Sequence, residues 1–279
     1  MKLIADSGST KTDWRLISPD GQVSALTSTG INPYHRSENE IDDTLASLEF
    51  IGKKDKVGQV FFYGAGITGN DAEYILQSAL HRRFGFQCEV FVGDDLLAAG
   101  RALFKEGKGI ACILGTGSNS CLYDNGIIRE KIPALGYILG DEGSGTDMGK
   151  RFINALFKRA LPGKLADEIL KNEEIEMHTV LKNVYREEYP ARHLASYSRI
   201  IRKYISHESI KSIVEEAFDN FFRKNIVKYK NYASYEIGFA GSIAYHFKDI
   251  LEETSKKWDL EKITVLSSPI DELVNYHKK

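Results

Sequence analysis

The chain opens with short runs of alternating apolar and polar positions separated by turn formers. Leu3-Ile4-Ala5 leads through Asp6 into a Gly/Ser/Thr tip and returns through Trp14 and Leu16, Pro19-Asp20-Gly21 turns again, and Gln22 to Thr27 comes back. A three-stranded meander is predicted. Past the loop Ser28-Thr29-Gly30-Ile31-Asn32-Pro33, residues Ile41, Leu45 and Leu48 share one face of a helix predicted from Glu38 to Phe50. Val57 to Tyr63 is a buried strand, Gly64 to Gly69 a turn, and Asn70 with Glu73 has the spacing of a capping box for a helix reaching Phe84. Cys88 to Val92 is a further strand, and Gly93-Asp94-Asp95 opens a helix from Leu96 to Phe104. The polar stretch Lys105 to Lys108 then marks a boundary, giving a first lobe over 1–107 with the order βββαβαβα.

From Gly109 the opening pattern recurs. Ile110 to Leu114, the turn Gly115-Thr116-Gly117-Ser118-Asn119, Ser120 to Tyr123, Asp124-Asn125-Gly126 and Ile127 to Lys131 repeat the strand, tip, strand, turn and strand of the first meander, which suggests duplication. GYILGDEGSG over 136–145 follows, and then a helical insertion over about 146–232. Its Ile210, Ile213, Val214, Ala217, Phe218, Phe221, Phe222 and Ile226 fall at helical spacing and read as core. Arg199, Arg202, Lys203 and Tyr204 read as a solvated helix face. A βαβ pattern closes the second lobe, 108–279, with Glu236 to Ala240, a helix opened by Gly241-Ser242, and Ile263 to Ser267.

The first tip carries candidate chemistry. Gly8 permits φ > 0, so the backbone N–H groups of Gly8 to Lys11 can converge on one concavity, with the hydroxyls of Ser9, Thr10 and Thr12 as added donors. Such a tip suits a phosphate. Asp6 beside it would repel an anion unless a divalent cation lay between them, which implies magnesium, held through water, together with a nucleotide. An ordinary polar hairpin turn accounts for the same residues.

Composition narrows the classes. At 279 residues the chain favours two domains over one, and 42% hydrophobic with 27% charged residues is ordinary for a globular protein with a sizeable core. A net charge of −2 argues against a nucleic-acid or acidic-lipid partner, which usually comes with a basic excess. Met1 leads directly into a strand, with neither a signal peptide nor an apolar stretch of membrane-spanning length, so a cytoplasmic protein is expected. Cys88, Cys112 and Cys121 lack metal-ligand spacing and read as reduced core residues.

Four motifs in order, Asp6-Ser-Gly-Ser-Thr-Lys-Thr, Gly115-Thr-Gly-Ser, Gly140-Asp-Glu-Gly-Ser and Phe239-Ala-Gly-Ser, resemble the phosphate-1, phosphate-2, connecting and adenosine motifs of the actin, sugar-kinase and heat-shock ATPase superfamily. Within it the chain is most similar to the BadF/BadG/BcrA/BcrD-type ATPases and, among these, to the N-acetylglucosamine kinases, through GTGSN at 115–119, GDEGS at 140–144 and the upstream Ser28-Thr-Gly-Ile-Asn-Pro. The resemblance implies an α/β fold of two ribonuclease-H-like (actin-like ATPase) lobes around an ATP cleft, with ATP and Mg2+ as cofactors, a sugar as substrate, and room for a homodimer. It implies that Gly8, Ser9, Thr10, Lys11, Thr12, Thr116 and Gly117 bind ATP phosphates and that Gly241 and Ser242 lie against the adenosine. Asn32, Asp95, Ser118, Asn119, Gly136 and Asp141 would face the sugar, with Asp6, through water, and Asp141 on the metal side. For Gly241-Ser242 a plain strand-to-helix turn, for Asp141 a helix N-cap, and for Asn32-Pro33 a turn stand as the alternatives.

Asp95 is the candidate base. A sugar hydroxyl attacking a γ-phosphoryl group needs its proton taken by a positioned carboxylate, and the family places an aspartate at this strand-to-helix junction. Asp95 is preferred to Asp94 because that aspartate directly precedes the helix. Helix capping is the competing role for both. The chain departs from the family twice. It has no cysteine after Cys121, which disfavours the iron–sulfur CoA-dehydratase activators, and Ser267-Ser-Pro-Ile-Asp-Glu-Leu stands where the family's Gly-Ala final helix is usual. The expected activity is phosphorylation of an amino-sugar hydroxyl, O6 of N-acetylglucosamine first. The alternatives are an ATP-driven switch acting on a partner protein and a sugar sensor without turnover.

Overall fold

The computed structural model describes residues 1–8, 10–48, 57–67 and 69–278. The chain divides into two compact units, one made of Met1–Gly107, Asn125–Ile127 and Pro269–Lys279, the other of Lys108–Asp124 and Ile128–Ser268.

In the first unit β1 (Lys2–Ser7), β2 (Lys11–Ile17) and β3 (Val23–Thr29) form the predicted meander, followed by α1 (Glu38–Ala46), β4 (Gln59–Gly64), α2 (Asn70–Phe84), β5 (Glu89–Asp94) and α3 (Asp95–Phe104). The sheet order is β3-β2-β1-β4-β5, with β4 and β5 parallel to β1. Alternation sends Leu3, Ala5, Trp14 and Leu16 into one core with Val60, Phe62, Ile41 and Leu76. Helix α1 starts on a full capping box, Ser37 with Glu40, and the end predicted for it at Phe50 lies outside the described residues. The capping box expected at Asn70 and Glu73 does not form. Gly69 is the N-cap, with no side-chain cap bond, and Glu73 instead accepts from Gln77 one turn on.

The second unit repeats the plan: β6 (Lys108–Leu114), β7 (Ser118–Asp124), β8 (Ile127–Ile132), then α4 (Gly136–Leu139), α5 (Gly145–Phe157), α6 (Gly163–Asn172), α7 (Met177–Tyr185), α8 (Pro190–Ser196), α9 (Ser198–Lys203) and α10 (Glu208–Lys224), followed by β9 (Glu236–Ala240), α11 (Ser242–His246), α12 (Lys248–Lys256) and β10 (Ile263–Leu266). Its sheet runs β10-β9-β6-β7-β8, the same order as the first once strands are matched by position in the unit, with β9 parallel to both β6 and β10. The pattern repeat is thus a repeat of topology. Of the predicted stripe, Ile210, Val214, Ala217, Phe218, Phe221, Phe222 and Ile226 are fully buried and join the core with Phe152 and Phe239.

The expected second lobe, 108–279, does not keep its C-terminal residues. They form α13 (Ile270–His277), which packs on α3, β1 and β2 of the first unit. Ile270, Leu273 and Val274 are buried, so the residues after Pro269 form an amphipathic helix. His277 stacks on Phe61 at 3.8 Å between ring centres and shares a 2.8 Å hydrogen bond with the Tyr63 hydroxyl. No helix among the described residues is long and apolar enough to cross a membrane.

Candidate active site

In the first unit the parallel strands end in register, Ser7 beside Gly64 and Gly64 beside Asp94. Ligands of open α/β sheets bind at this carboxyl edge, and two strand spacings separate the loops after β1 and β5 by about 10 Å. The edge carries the hairpin tip, the loop after β4 and the start of α3.

The tip is closed by the Gly8 N–H donating to the Lys11 carbonyl at 2.9 Å. Gly8 does not take the positive φ expected of it, and a Cβ there would meet only the Lys11 carbonyl oxygen, at 3.7 Å. Thr10 and Lys11 are exposed, whereas Ser9 lies outside the described residues. The Lys11 ammonium reaches Asp13 at 2.7 Å, and Asp13 stands directly across the hairpin from Asp6. Thr12 is not at the tip surface. It is fully buried, pairs with Ser7, and its hydroxyl lies 2.8 Å from Ser7 Oγ and donates to the Thr29 carbonyl at 3.2 Å. Strand parity is the reason: Thr12 shares the inward face with Trp14 and Leu16. Ser7 Oγ in turn brackets the main chain of Ile31, accepting from its N–H at 2.9 Å and donating to its carbonyl at 3.0 Å. The two hydroxyls therefore hold the loop that presents Asn32.

Asn32 is buried, and its Oδ1 accepts the Tyr34 N–H at 2.9 Å, so the turn alternative is realised on the oxygen side of the amide. The Nδ2 of the amide is its donor side. The amide lies flat on Gly66, where φ is +78° and an added Cβ would fall 2.3 Å from Oδ1, so only glycine fits.

At the start of α3 the two aspartates divide their work. Asp94 is the N-cap, with extended backbone and a carboxylate accepting the Leu97 N–H at 2.8 Å. Asp95 is the first helical residue and is half-buried.

In the second unit the β6–β7 tip is knitted to the start of α5. Gly145 N–H donates to the Gly115 carbonyl at 2.9 Å and Thr146 N–H to the Thr116 carbonyl at 3.2 Å, while Gly115 N–H closes the tip on the Gly117 carbonyl at 3.0 Å. Asp141 is not the N-cap of α5. Ser144 holds that place by accepting the Asp147 N–H at 3.1 Å, and Asp141 sits in left-handed backbone, φ +56°. Its carboxylate accepts the Ser118 N–H at 3.2 Å and packs on Gly117, where a Cβ would stand 3.0 Å from Oδ2. Burial pushes the Asp141 carboxyl above the usual carboxylate range, against the opposing pull of the Ser118 N–H and the Lys150 ammonium. Lys150 itself donates to the Tyr137 carbonyl at 2.6 Å, tying α4 to α5. Gly136, which opens α4, is exposed with φ +72°, Ser118 is buried, and Asn119 turns its Oδ1 onto the next N–H, that of Ser120, at 2.9 Å.

The Gly241-Ser242 turn lies against the same tip. Gly241 has φ +125°, and an added Cβ would fall 2.3 Å from the Leu114 carbonyl oxygen, so the chain can pass here only as glycine. Ser242, exposed, is the first residue of α11. The structure thus brings Gly115 to Ser118, Asp141 and Gly241 together in one unit, and gathers Asp6, Gly8, Asn32 and Asp95 along one sheet edge in the other. Among the described residues no group of three or more His, Cys, Asp or Glu is arranged to hold a metal ion. Asp6, a half-buried carboxylate whose cross-strand partner Asp13 is held by the Lys11 ammonium, suits a magnesium ion that keeps water and phosphate oxygens as its other ligands. Residues missed by sequence reasoning are Asp13 and Ser7, which hairpin pairing would have found, and Thr146, which carries no local signal.

No family model matches the chain. A curated relative, the N-acetylmuramic acid/N-acetylglucosamine kinase of Clostridium acetobutylicum, is 28% identical over 232 residues, 78% of this chain and 75% of the relative. The solved structure of a candidate N-acetylglucosamine kinase from Porphyromonas gingivalis is 40% identical, with a TM-score of 0.94 over 99% of this chain and 98% of that one. Another candidate N-acetylglucosamine kinase, from Chromobacterium violaceum, matches in fold at a TM-score of 0.72 and 15% identity, over 99% of this chain and 98% of that one.

Proposed function

The chain belongs to the N-acetylglucosamine-kinase-like family of BadF/BadG/BcrA/BcrD-type ATPases, and on that premise we propose that it transfers the γ-phosphoryl group of ATP to O6 of N-acetylglucosamine, with Asp95 accepting the hydroxyl proton. The family makes it an ATP-dependent amino-sugar kinase. The observation that carries the role of Asp95 is its place: it is the first residue of α3, directly after β5 at the carboxyl edge of the sheet, half-buried, with the helix cap supplied by the neighbouring Asp94. As O6 bonds to the γ-phosphorus, the bond from that phosphorus to the β,γ-bridging oxygen breaks, ADP leaves, and the O6 proton passes to the Asp95 carboxylate.

The remaining residues position the reactants. Gly8, Thr10 and Lys11 on one hairpin tip and Thr116 and Gly117 on the other are the proposed phosphate contacts. Gly241 and Ser242 receive the adenosine. Asn32 through Nδ2, Ser118, Asn119, Gly136 and Asp141 hold the sugar, and Thr12 acts behind the surface by fixing the Asn32 loop. Magnesium bound with ATP would neutralise phosphate charge beside Asp6, with Asp141 a second carboxylate on the metal side.

The test is a coupled ADP-release assay with magnesium ATP across hexoses and N-acetylhexosamines, including the 3-O-lactyl sugar that the Clostridium relative's name adds. N-acetylglucosamine should drive ADP release, and its 6-deoxy analogue should drive none. Equal release with both sugars would refute transfer to O6, and release independent of every sugar would refute the kinase reading.

A further inference from the structure

The β6–β7 tip is held from behind by the first turn of α5, and the residue at the centre of that hold is Thr146. It is fully buried. Its N–H and its hydroxyl both reach the Thr116 carbonyl, at 3.2 and 2.6 Å, and the hydroxyl also lies 3.0 Å from the Ala191 carbonyl in α8. One residue earlier, Gly145 N–H holds the Gly115 carbonyl at 2.9 Å.

These bonds orient more than the carbonyls. No peptide bond among the described residues is cis, and in a trans peptide the N–H points opposite to the C=O of the same unit. With the carbonyls of Gly115 and Thr116 turned onto α5, the N–H groups of Thr116 and Gly117 are turned away from it. Neither has a protein acceptor among the described residues. Two successive N–H groups facing one way make a concavity for an anion. The run stops at the next residue, whose N–H is held by Asp141 at 3.2 Å.

We infer that Thr146 is a positioning residue for phosphoryl transfer: its hydroxyl locks the Thr116 carbonyl and thereby aims the Gly117 N–H at a phosphate oxygen of ATP. This rests on the phosphate reading of the tip proposed above. Thr146→Val keeps the buried volume and removes the hydroxyl, and Thr146→Ser restores it.

The experiment pairs steady-state kinetics with amide NMR of the ¹⁵N-labelled full chain, titrated with the non-hydrolysable analogue AMPPNP and magnesium. In the wild type the Thr116 and Gly117 amide resonances should shift on binding. In Thr146→Val those shifts should shrink and kcat/KM for ATP should fall about tenfold to a hundredfold, less than complete removal of an anion-stabilising donor costs. KM for the sugar should hold, and Thr146→Ser should recover most of the rate. Wild-type-like shifts and kcat/KM in Thr146→Val, with only a lower Tm, would overturn the positioning role while leaving the phosphate reading intact. Unmoved Thr116 and Gly117 amides in the wild type at saturating AMPPNP would overturn both. If Thr146→Val does not fold, Thr146→Ala removes the same hydroxyl and is read by the same outcomes.

Discussion

Replacing each of the neighbouring aspartates at the start of α3 separates stability from chemistry. Asp94 makes one side-chain cap bond, to the Leu97 N–H at 2.8 Å, so Asp94→Ala should cost about 1 kcal/mol, a loss of about 2–4 °C in Tm for a chain of this size. Asp95 makes no cap. Asp95→Asn removes a negative charge from the first helical turn, which is worth only about 0.3–1 kcal/mol, so its Tm should move by less than that of Asp94→Ala. Its chemistry should fail far more steeply, because the amide keeps the shape but has no basic lone pair. A lost general base reduces turnover by about two to four orders of magnitude, equivalent to about 3–5 kcal/mol in the barrier. The assay is kcat by ADP release at saturating ATP and N-acetylglucosamine, with sugar affinity by calorimetry and Tm measured on the same preparations. Asp94→Ala should stay within about tenfold of wild-type kcat, and Asp95→Asn should bind sugar but hardly turn it over. An Asp95→Asn protein with near-wild-type kcat, or an Asp94→Ala protein that loses activity and keeps its Tm, would refute this division.

Further outcomes follow from the geometry. Gly241→Ala should cost about 3 kcal/mol or more and weaken ATP binding, because its Cβ would fall 2.3 Å from a backbone carbonyl at φ +125°, whereas Gly8→Ala, with its nearest contact at 3.7 Å, should leave the melting curve unchanged. Asp141 binds its proton more tightly folded than unfolded, so its contribution to stability is full at low pH and is lost as pH rises through the ordinary carboxylate range to the raised folded value. Asp141→Asn should therefore raise Tm at neutral pH while impairing turnover, with the Tm gain vanishing in acid, and a variant less stable than wild type at pH 7 would contradict this. His277 has the opposite sign: burial, then Arg101 and Lys2, lowers it to about 4, so stability falls as pH drops from about 6.5 toward 4, by about 3 kcal/mol in all. His277→Phe should flatten that part of the Tm-against-pH curve, and an unchanged slope would exclude His277 as its source.

What the sequence made legible was local. Both meanders, their turns and the buried stripe of α10 follow from periodicity, because each strand or helix carries its own apolar face. The candidate site was visible in the sequence only as motifs, and the contacts that each side chain makes were not. Thr12 looked like a tip donor, yet it shares parity with Trp14 and Leu16, and counting from those residues would have turned it inward. Asp141 among glycines looked like a cap because a left-handed non-glycine residue has no signature in sequence, and the cap fell instead to Ser144. Asn70 and Glu73 had the right spacing, but Gly69 at φ +93° started the helix one residue early. The role of Thr146 and the docking of α13 depend on partners far away in the chain, which no window of sequence contains.

Helix α13 imposes an order on the birth of this protein. A ribosome releases the strands and α3 of the first unit early, then makes the whole second unit, and only afterwards delivers the residues that cover α3, β1 and β2. Throughout that interval the nascent first unit carries a bare apolar seat, where Ile270, Leu273 and Val274 will later be buried, and Phe61 waits for the ring of His277. The helix that presents Asp95 thus acquires its outer support only after the second unit has been made. The seat for α13 in the first unit is therefore filled only after the other unit has already had its chance to fold.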